Sequence, residues 1–230
     1  MSKTIMAVGA HTGDAQLTCG MLLAKHSMLG DKIITVDLTA GERGAPQGVP
    51  IAEFRERNVA SAREFAAMLG GESIVFDVPD GELYAGKDIE LQLADLMRER
   101  QVDAVLYHWK NSLHKDHVAA HRITENAIFF ASLATMERAC PPAPIRAMLC
   151  AENWEDAEGF APYHYFDVTE AFPLWKEAIK KLWLAGHSTS FAYLRYYEAL
   201  SVCRGAFIRK EHATAFSDTS SARRVVRESL

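Results

Sequence analysis

His11 and Asp14 stand three residues apart where the apolar run Ile5-Met6-Ala7-Val8 ends, and His117 closes His114-Lys115-Asp116-His117 after a second apolar run, Ala104-Val105-Leu106. Two imidazoles and one carboxylate make a three-ligand set suited to zinc, and such a set leaves one coordination position for water or substrate. The chemistry open to it is metal-assisted attack of water on an electrophile.

Both clusters follow segments that read as parallel strands, and both precede helical patterns. In an open α/β sheet, ligands gather outside the carboxyl ends of the strands, so both clusters are expected on one rim.

The elements that must position them follow from periodicity and breakers. Strands are predicted over 4–8, 32–38, 73–78, 103–108, 146–150 and 163–168, and helices over 16–28, 51–69, 87–100, 118–136, 169–183 and 191–204. Thr39 to Gly48 is too rich in glycine and proline for regular structure and reads as a rim loop. Pro141-Pro142-Ala143-Pro144 ends the fourth helical pattern, and the polar stretch Ser217 to Leu230 is expected to fray. Alternating strands and helices predict an α/β fold with a mostly parallel sheet covered on both faces.

With 230 residues and 49% hydrophobic content, the chain can bury a full core, and 1–230 reads as a single domain. A net charge of −5 offers no basic stripe for a phosphate backbone, so no nucleic-acid partner is expected. No segment reaches the roughly 20 apolar residues of a membrane span. Cys19, Cys140, Cys150 and Cys203 lie far apart, and Met1-Ser2-Lys3-Thr4 leads directly into a strand without a signal-peptide core. The expectation is a soluble cytoplasmic protein.

The residues resemble the PIG-L/LmbE-like zinc-dependent N-deacetylases. Ala10-His11-Thr12-Gly13-Asp14-Ala15-Gln16 stands where that family carries A-H-P-D-D-x-E, and His114-Lys115-Asp116-His117 matches its H-P-D-H. Leu38-Thr39-Ala40-Gly41-Glu42, Leu69-Gly70, Asp167-Val168-Thr169 and His187-Ser188 match further along. The resemblance implies a Rossmann-like three-layer fold whose catalytic rim comes mainly from 1–140, with 145–216 completing the pocket. It also implies Zn2+ held by His11, Asp14 and His117, His114 protonating or stabilising the tetrahedral intermediate, and Asp116 orienting His114. Its substrates are N-acetylated amino sugars of the N-acetylglucosamine type, and its members are often homo-oligomers.

Two departures bear on turnover. The family's usual general-base aspartate is Gly13 here, and its following glutamate is Gln16. A positioned base contributes on the order of 10²- to 10⁴-fold. Zinc lowers the pKa of bound water to about 7, so weak hydrolysis survives that loss. Glu42 opens the rim loop and is a candidate replacement base; a loop carboxylate fixing its own backbone is the other reading.

For the substrate, Arg55 and Arg57 open the long helix beside the rim loop, where an arginine can fork onto a hydroxyl, carboxylate or phosphate or simply pair on a solvated face. Asp80, in Pro79-Asp80-Gly81-Glu82, lies at the same end of the sheet, where family members contact the sugar. His121 reads as support for His117 or as surface, and His187 as a pocket residue. Tyr193, Tyr196 and Tyr197 form a helical aromatic set of the kind found in a core or subunit contact.

The sequence thus reads as a zinc-dependent hydrolase that removes an acetyl group from an N-acetylated amine, with His114 and Asp116 catalytic, Asp80, Arg57 and Glu42 at the substrate, and His11, Asp14 and His117 on the metal. Beside it stands a non-catalytic metal-binding relative that lost its base. A nucleotide-binding module fits less well, because Val8-Gly9-Ala10-His11-Thr12-Gly13 is not G-x-G-x-x-G.

Overall fold

The computed structural model describes residues 2–218. Seven strands form one sheet in the order β3-β2-β1-β4-β5-β7-β6. These are β1 (Thr4–His11), β2 (Lys32–Thr39), β3 (Glu72–Val78), β4 (Ala104–Tyr107), β5 (Ala147–Ala151), β6 (His164–Asp167) and β7 (Ala213–Ser217). Strands β1 to β5 pair in parallel, and β7 runs antiparallel between β5 and β6. Central parallel strands are covered on both faces and therefore read as continuous apolar runs. Accordingly β1 buries every residue except its last, His11.

The helices are α1 (Asp14–Thr18), α2 (Gly20–Met28), α3 (Ile51–Met68), α4 (Lys87–Glu99), α5 (Lys115–Ser132), α6 (Phe172–Ile179), α7 (Trp183–His187) and α8 (Tyr193–Ile208). One apolar layer packs Leu17, Leu23, Phe65, Trp175 and Ile179 against the sheet, and the other packs Leu93, Met97, Ile123 and Ala127 against its opposite face. This is the expected three-layer α/β fold. The strand order reverses between β1 and β4, the crevice where open α/β sheets bind ligands.

Several boundaries depart from expectation. The helix expected over 16–28 begins at Asp14 and divides at Cys19, where the Thr18 hydroxyl donates to the Asp14 carbonyl (2.8 Å), a back-bond that bends helices. Helix α5 begins at Lys115 rather than at 118, because His114 caps it by accepting from the Asp116 N–H (3.2 Å). The helix expected over 169–183 divides into α6 and α7 at an extended Leu182. Strand β7 was not anticipated: Ala213-Thr-Ala-Phe-Ser has weak strand propensity, and its pairing with β5 and β6 decides its state. Ser217, expected to fray, closes that strand, and the stretch from 219 onward lies outside the described residues.

Candidate metal centre and substrate cleft

His11 ends β1 and Asp14 opens α1, joined by a turn in which Gly13 adopts φ +118. Asp14 folds back to accept from the His11 backbone N–H (2.8 Å). Across the switch point, the chain leaving β4 brings His114 and His117 into the first turn of α5. Asp14 Oδ2 then lies 3.2 Å from His11 Nδ1 and 3.4 Å from His117 Nε2. A tetrahedral zinc with bonds of 2.0–2.2 Å sets its donors roughly 3.3–3.6 Å apart, which both spacings from Asp14 Oδ2 approach. The donor atoms of His11, His114 and His117 also lie within 4.8 Å of one another.

Carboxylates fix both imidazoles from behind. His117 Nδ1 faces Asp156 Oδ1 at 2.9 Å, leaving Nε2 for the metal. Asp156 is fully buried on the 3-10 turn 154–156, and its second oxygen lies 2.8 Å from His108 Nδ1. The Ala10 N–H donates to Nε2 of that ring (3.1 Å). Burial opposes the charge of Asp156, but the neighbouring His108 and His117 and the hydrogen bonds from both rings outweigh it and hold its pKa at about 2. His11 Nε2 faces Asp80 Oδ1 (3.2 Å) and Asp116 Oδ2 (3.3 Å). Burial opposes a charge on His11, yet Asp116, Asp14 and Asp80 together draw a proton onto it. A metal ion must displace that proton.

The catalytic expectations divide here. His114 lines the cleft beside His11 and His117. Its Nδ1 accepts from the Asp116 N–H, so its proton sits on Nε2, and burial together with the neighbouring His11 and His117 keeps the ring below its ordinary pKa. The Asp116 carboxylate was expected to orient His114. It instead accepts from the Gly81 N–H (2.8 Å) and Lys115 Nζ (2.8 Å) and faces His11. The short loop geometry after Pro79 brings Gly81 there, a contact invisible in the local motif.

The structure brings Asp80 to the cleft but not the other two substrate candidates. Arg57 turns outward and pairs with Glu53 one helical turn away (3.4 Å). Glu42 is buried outside the cleft lining, accepting from the Asp80 N–H (2.9 Å) and from Arg55 (3.3 Å), so it fixes the rim rather than facing it. Arg55 also donates to Asp77 (2.8 Å). His187 stacks on Trp183 outside the lining (5.5 Å), and His121 is buried against the His108 carbonyl (2.8 Å). Tyr197 is buried in the core as expected and Tyr193 packs against it, and both also border the cleft.

The cleft encloses about 480 Å³. Residues that sequence reasoning passed over shape it: Arg43, Trp154, Glu155, Trp183 and Leu184. The one local signal was the acidic run Glu155-Asp156 soon after a strand end. Glu155 Oε2 lies 3.7 Å from His117 Nε2, and burial, aided by Asp14 and Asp156, raises its pKa.

Gly13 and Gln16 also find their physical reason. A Cβ on residue 13 would lie 2.2 Å from Leu184 Cδ2, so a side chain there requires the Leu184 methyl to turn aside, on a backbone whose positive φ already disfavours one. Gln16 accepts from the Gly13 N–H (2.9 Å) and donates to both oxygens of buried Asp37 (3.1 and 3.0 Å). A glutamate at 16 would lose the Nε2 donor that Asp37 accepts from.

The family model described as "PIG-L: GlcNAc-PI de-N-acetylase" matches residues 6–128. The 4-oxalmesaconate hydratase of Pseudomonas putida KT2440 is 33% identical over 132 residues, 54% of this chain and 51% of that protein, so the match spans about half the length of this curated relative. The solved structure of GalB, the 4-carboxy-2-hydroxymuconate hydratase from the same strain, aligns with a TM-score of 0.86 at 22% identity, covering 99% of this chain and 100% of that one. N,N'-diacetylchitobiose deacetylase from Pyrococcus horikoshii aligns at 0.80 with 17% identity, covering 94% and 83%. At those identities the two structural likenesses speak for the fold. The family model covers more than half of the chain, with both histidine motifs inside its span, and the protein belongs to the PIG-L family.

Proposed function

We propose that the protein is a zinc-dependent enzyme that adds water across an activated carbon–carbon double bond of a small molecule. The observation that carries this reading is the approach of His11 and His117 to the Asp14 carboxylate beside a position 13 that holds no carboxylate. Both reactions must deprotonate water, but amide hydrolysis must in addition protonate a leaving amine, and each positioned acid or base is worth about 10²- to 10⁴-fold. Hydration expels no group: the hydroxyl forms a C–O bond, the π pair takes a proton, and the elements of water are conserved in the product. The 33% identity to a hydratase supports the same reading.

Two histidine nitrogens and a carboxylate oxygen are donor types that suit zinc. When bound, zinc polarises a substrate oxygen and acidifies water. His114, its proton on Nε2, is placed to donate to the charge that develops on the substrate. Asp80 and Asp116 hold His11, and Asp156 holds His117. The tryptophans Trp154 and Trp183 wall the cleft, which suits a flat conjugated skeleton.

Removal of an acetyl group from an N-acetylglucosamine-type substrate is the second reading, favoured by the family model and by His114. In that case Glu155, facing His117 within the cleft, is the carboxylate left to act as base.

The test is metal content of the purified protein together with two assays, loss of conjugated absorbance from a panel of unsaturated acids and amine release from N-acetylated sugars, each with a chelated control. Chelator-sensitive absorbance loss without amine release is the expected result. Amine release alone transfers the assignment to the deacetylase. Metal near one per chain with neither product leaves the non-catalytic relative.

A further inference from the structure

Arg43 sits on the 3-10 turn 42–44 of the rim loop and is the single lysine or arginine among the described residues that line the cleft. Its backbone N–H donates to Asp80 Oδ2 (3.0 Å), and the other oxygen of Asp80 faces the ligand His11 (3.2 Å). The guanidinium crosses Gly81, where a Cβ would lie 3.2 Å from Nη1. Gly81 has φ +77, so this backbone both requires glycine and leaves the guanidinium its room. Arg43 Nη2 pairs with Glu82, and the two side chains are 50% and 56% exposed. An ion pair so open to water is weak, and a ligand entering the cleft can replace one partner.

The rest of the cleft is unlike this corner. Asp14, Asp80 and Glu155 place negative charge on the metal side, and Trp154 and Trp183 give apolar walls. A neutral acetamido sugar draws no particular gain from a half-exposed guanidinium. A carboxylate does, because the planar fork of arginine matches its two oxygens.

We infer that Arg43 is the specificity-determining residue that reads a carboxylate of the substrate, exchanging Glu82 for the ligand's own anion, so that the cleft takes an unsaturated acid bearing a carboxylate remote from the metal. This rests on the hydration reading and names its substrate class. Glu82 acts as the competing anion, which makes the two residues opposite in sign.

The experiment is calorimetric binding of cis,cis-muconate and of its neutral diamide to the zinc-loaded protein and its variants, with metal content measured for each. The diacid is expected to bind at least about 10-fold more tightly than the diamide, as a charge-assisted hydrogen bond requires. Arg43→Met should weaken the diacid about 10-fold or more while leaving the diamide and the metal content unchanged. Arg43→Lys should retain part of the affinity, Glu82→Gln should raise it about 2- to 5-fold, and Arg57→Met should do nothing. A purely structural Arg43 would not produce the gain at Glu82. Equal binding of diacid and diamide, no measurable diacid binding, or an Arg43→Met protein with wild-type affinity overturns the inference. Hydration with an unchanged KM in Arg43→Met removes the inference and leaves the hydration reading standing. Arg43-dependent diacid binding with no hydration of any acid in the panel removes that reading instead.

Discussion

Asp156 lines no part of the cleft, yet it holds the His117 ring with Nε2 turned toward Asp14. Outer carboxylates of this kind are worth about 10- to 100-fold in metal affinity. Asp156→Ala is therefore expected to weaken zinc binding by about that factor, read by competition against a chromophoric chelator, with the fold retained by circular dichroism. His11→Ala, Asp14→Ala and His117→Ala should each lose most of the metal. His114→Ala should keep most of it and lose turnover, because Asp14 with His11 and His117 still supplies three donors. Unchanged zinc in all three ligand variants would remove the assignment.

At the scale of elements, the turn between β1 and α1 is shaped by its neighbour α7. Gly13 has φ +118, a conformation costing a side-chain-bearing residue about 1–3 kcal/mol, and Leu184 fills the space beyond it. Gly13→Ala should thus destabilise by more than the backbone term alone, and adding Leu184→Ala should recover the steric part. A double-mutant cycle by urea denaturation checks this: additive effects would mean the two residues do not meet. The same pair explains why Gly13→Asp by itself is not expected to restore a general base. Strand–turn–helix order around the two motifs was legible in the sequence, since periodicity and breakers are local. Helix α5 was read three residues late because its start is set by a cap, while the periodic apolar pattern begins at Val118.

For the whole molecule, Asp37 is a buried carboxyl beneath the site whose pKa burial pushes up to about 8, against the hydrogen bonds from Gln16. The unfolded chain releases this proton near 3.9. Between roughly pH 4 and pH 8 the folded state therefore binds more protons than the unfolded state, and stability must fall as pH rises through that window. Asp37→Asn, neutral throughout, should gain on the wild type between pH 5 and pH 8 in denaturant titrations of chelator-treated protein. Parallel pH profiles for the two proteins would show that Asp37 is ionised in the fold.

His11, Asp14, His114 and His117, the rim they share and the layered fold were determined by the sequence itself. Each motif lies within a single strand–turn–helix unit, where spacing in the chain is spacing in space. Tertiary structure alone decided the rest. Asp156 reaches His117 across 39 residues, Asp116 serves His11 across 105, and Leu184 closes Gly13 from the C-terminal helices. Arg43 faces the cleft and Arg57 does not, because α3 rotates to bury Phe54, Asn58 and Phe65 and so leaves Arg57 with Glu53. Those outcomes depend on how separate elements pack once their apolar faces meet, and no local spacing encodes which polar side chains that packing brings together.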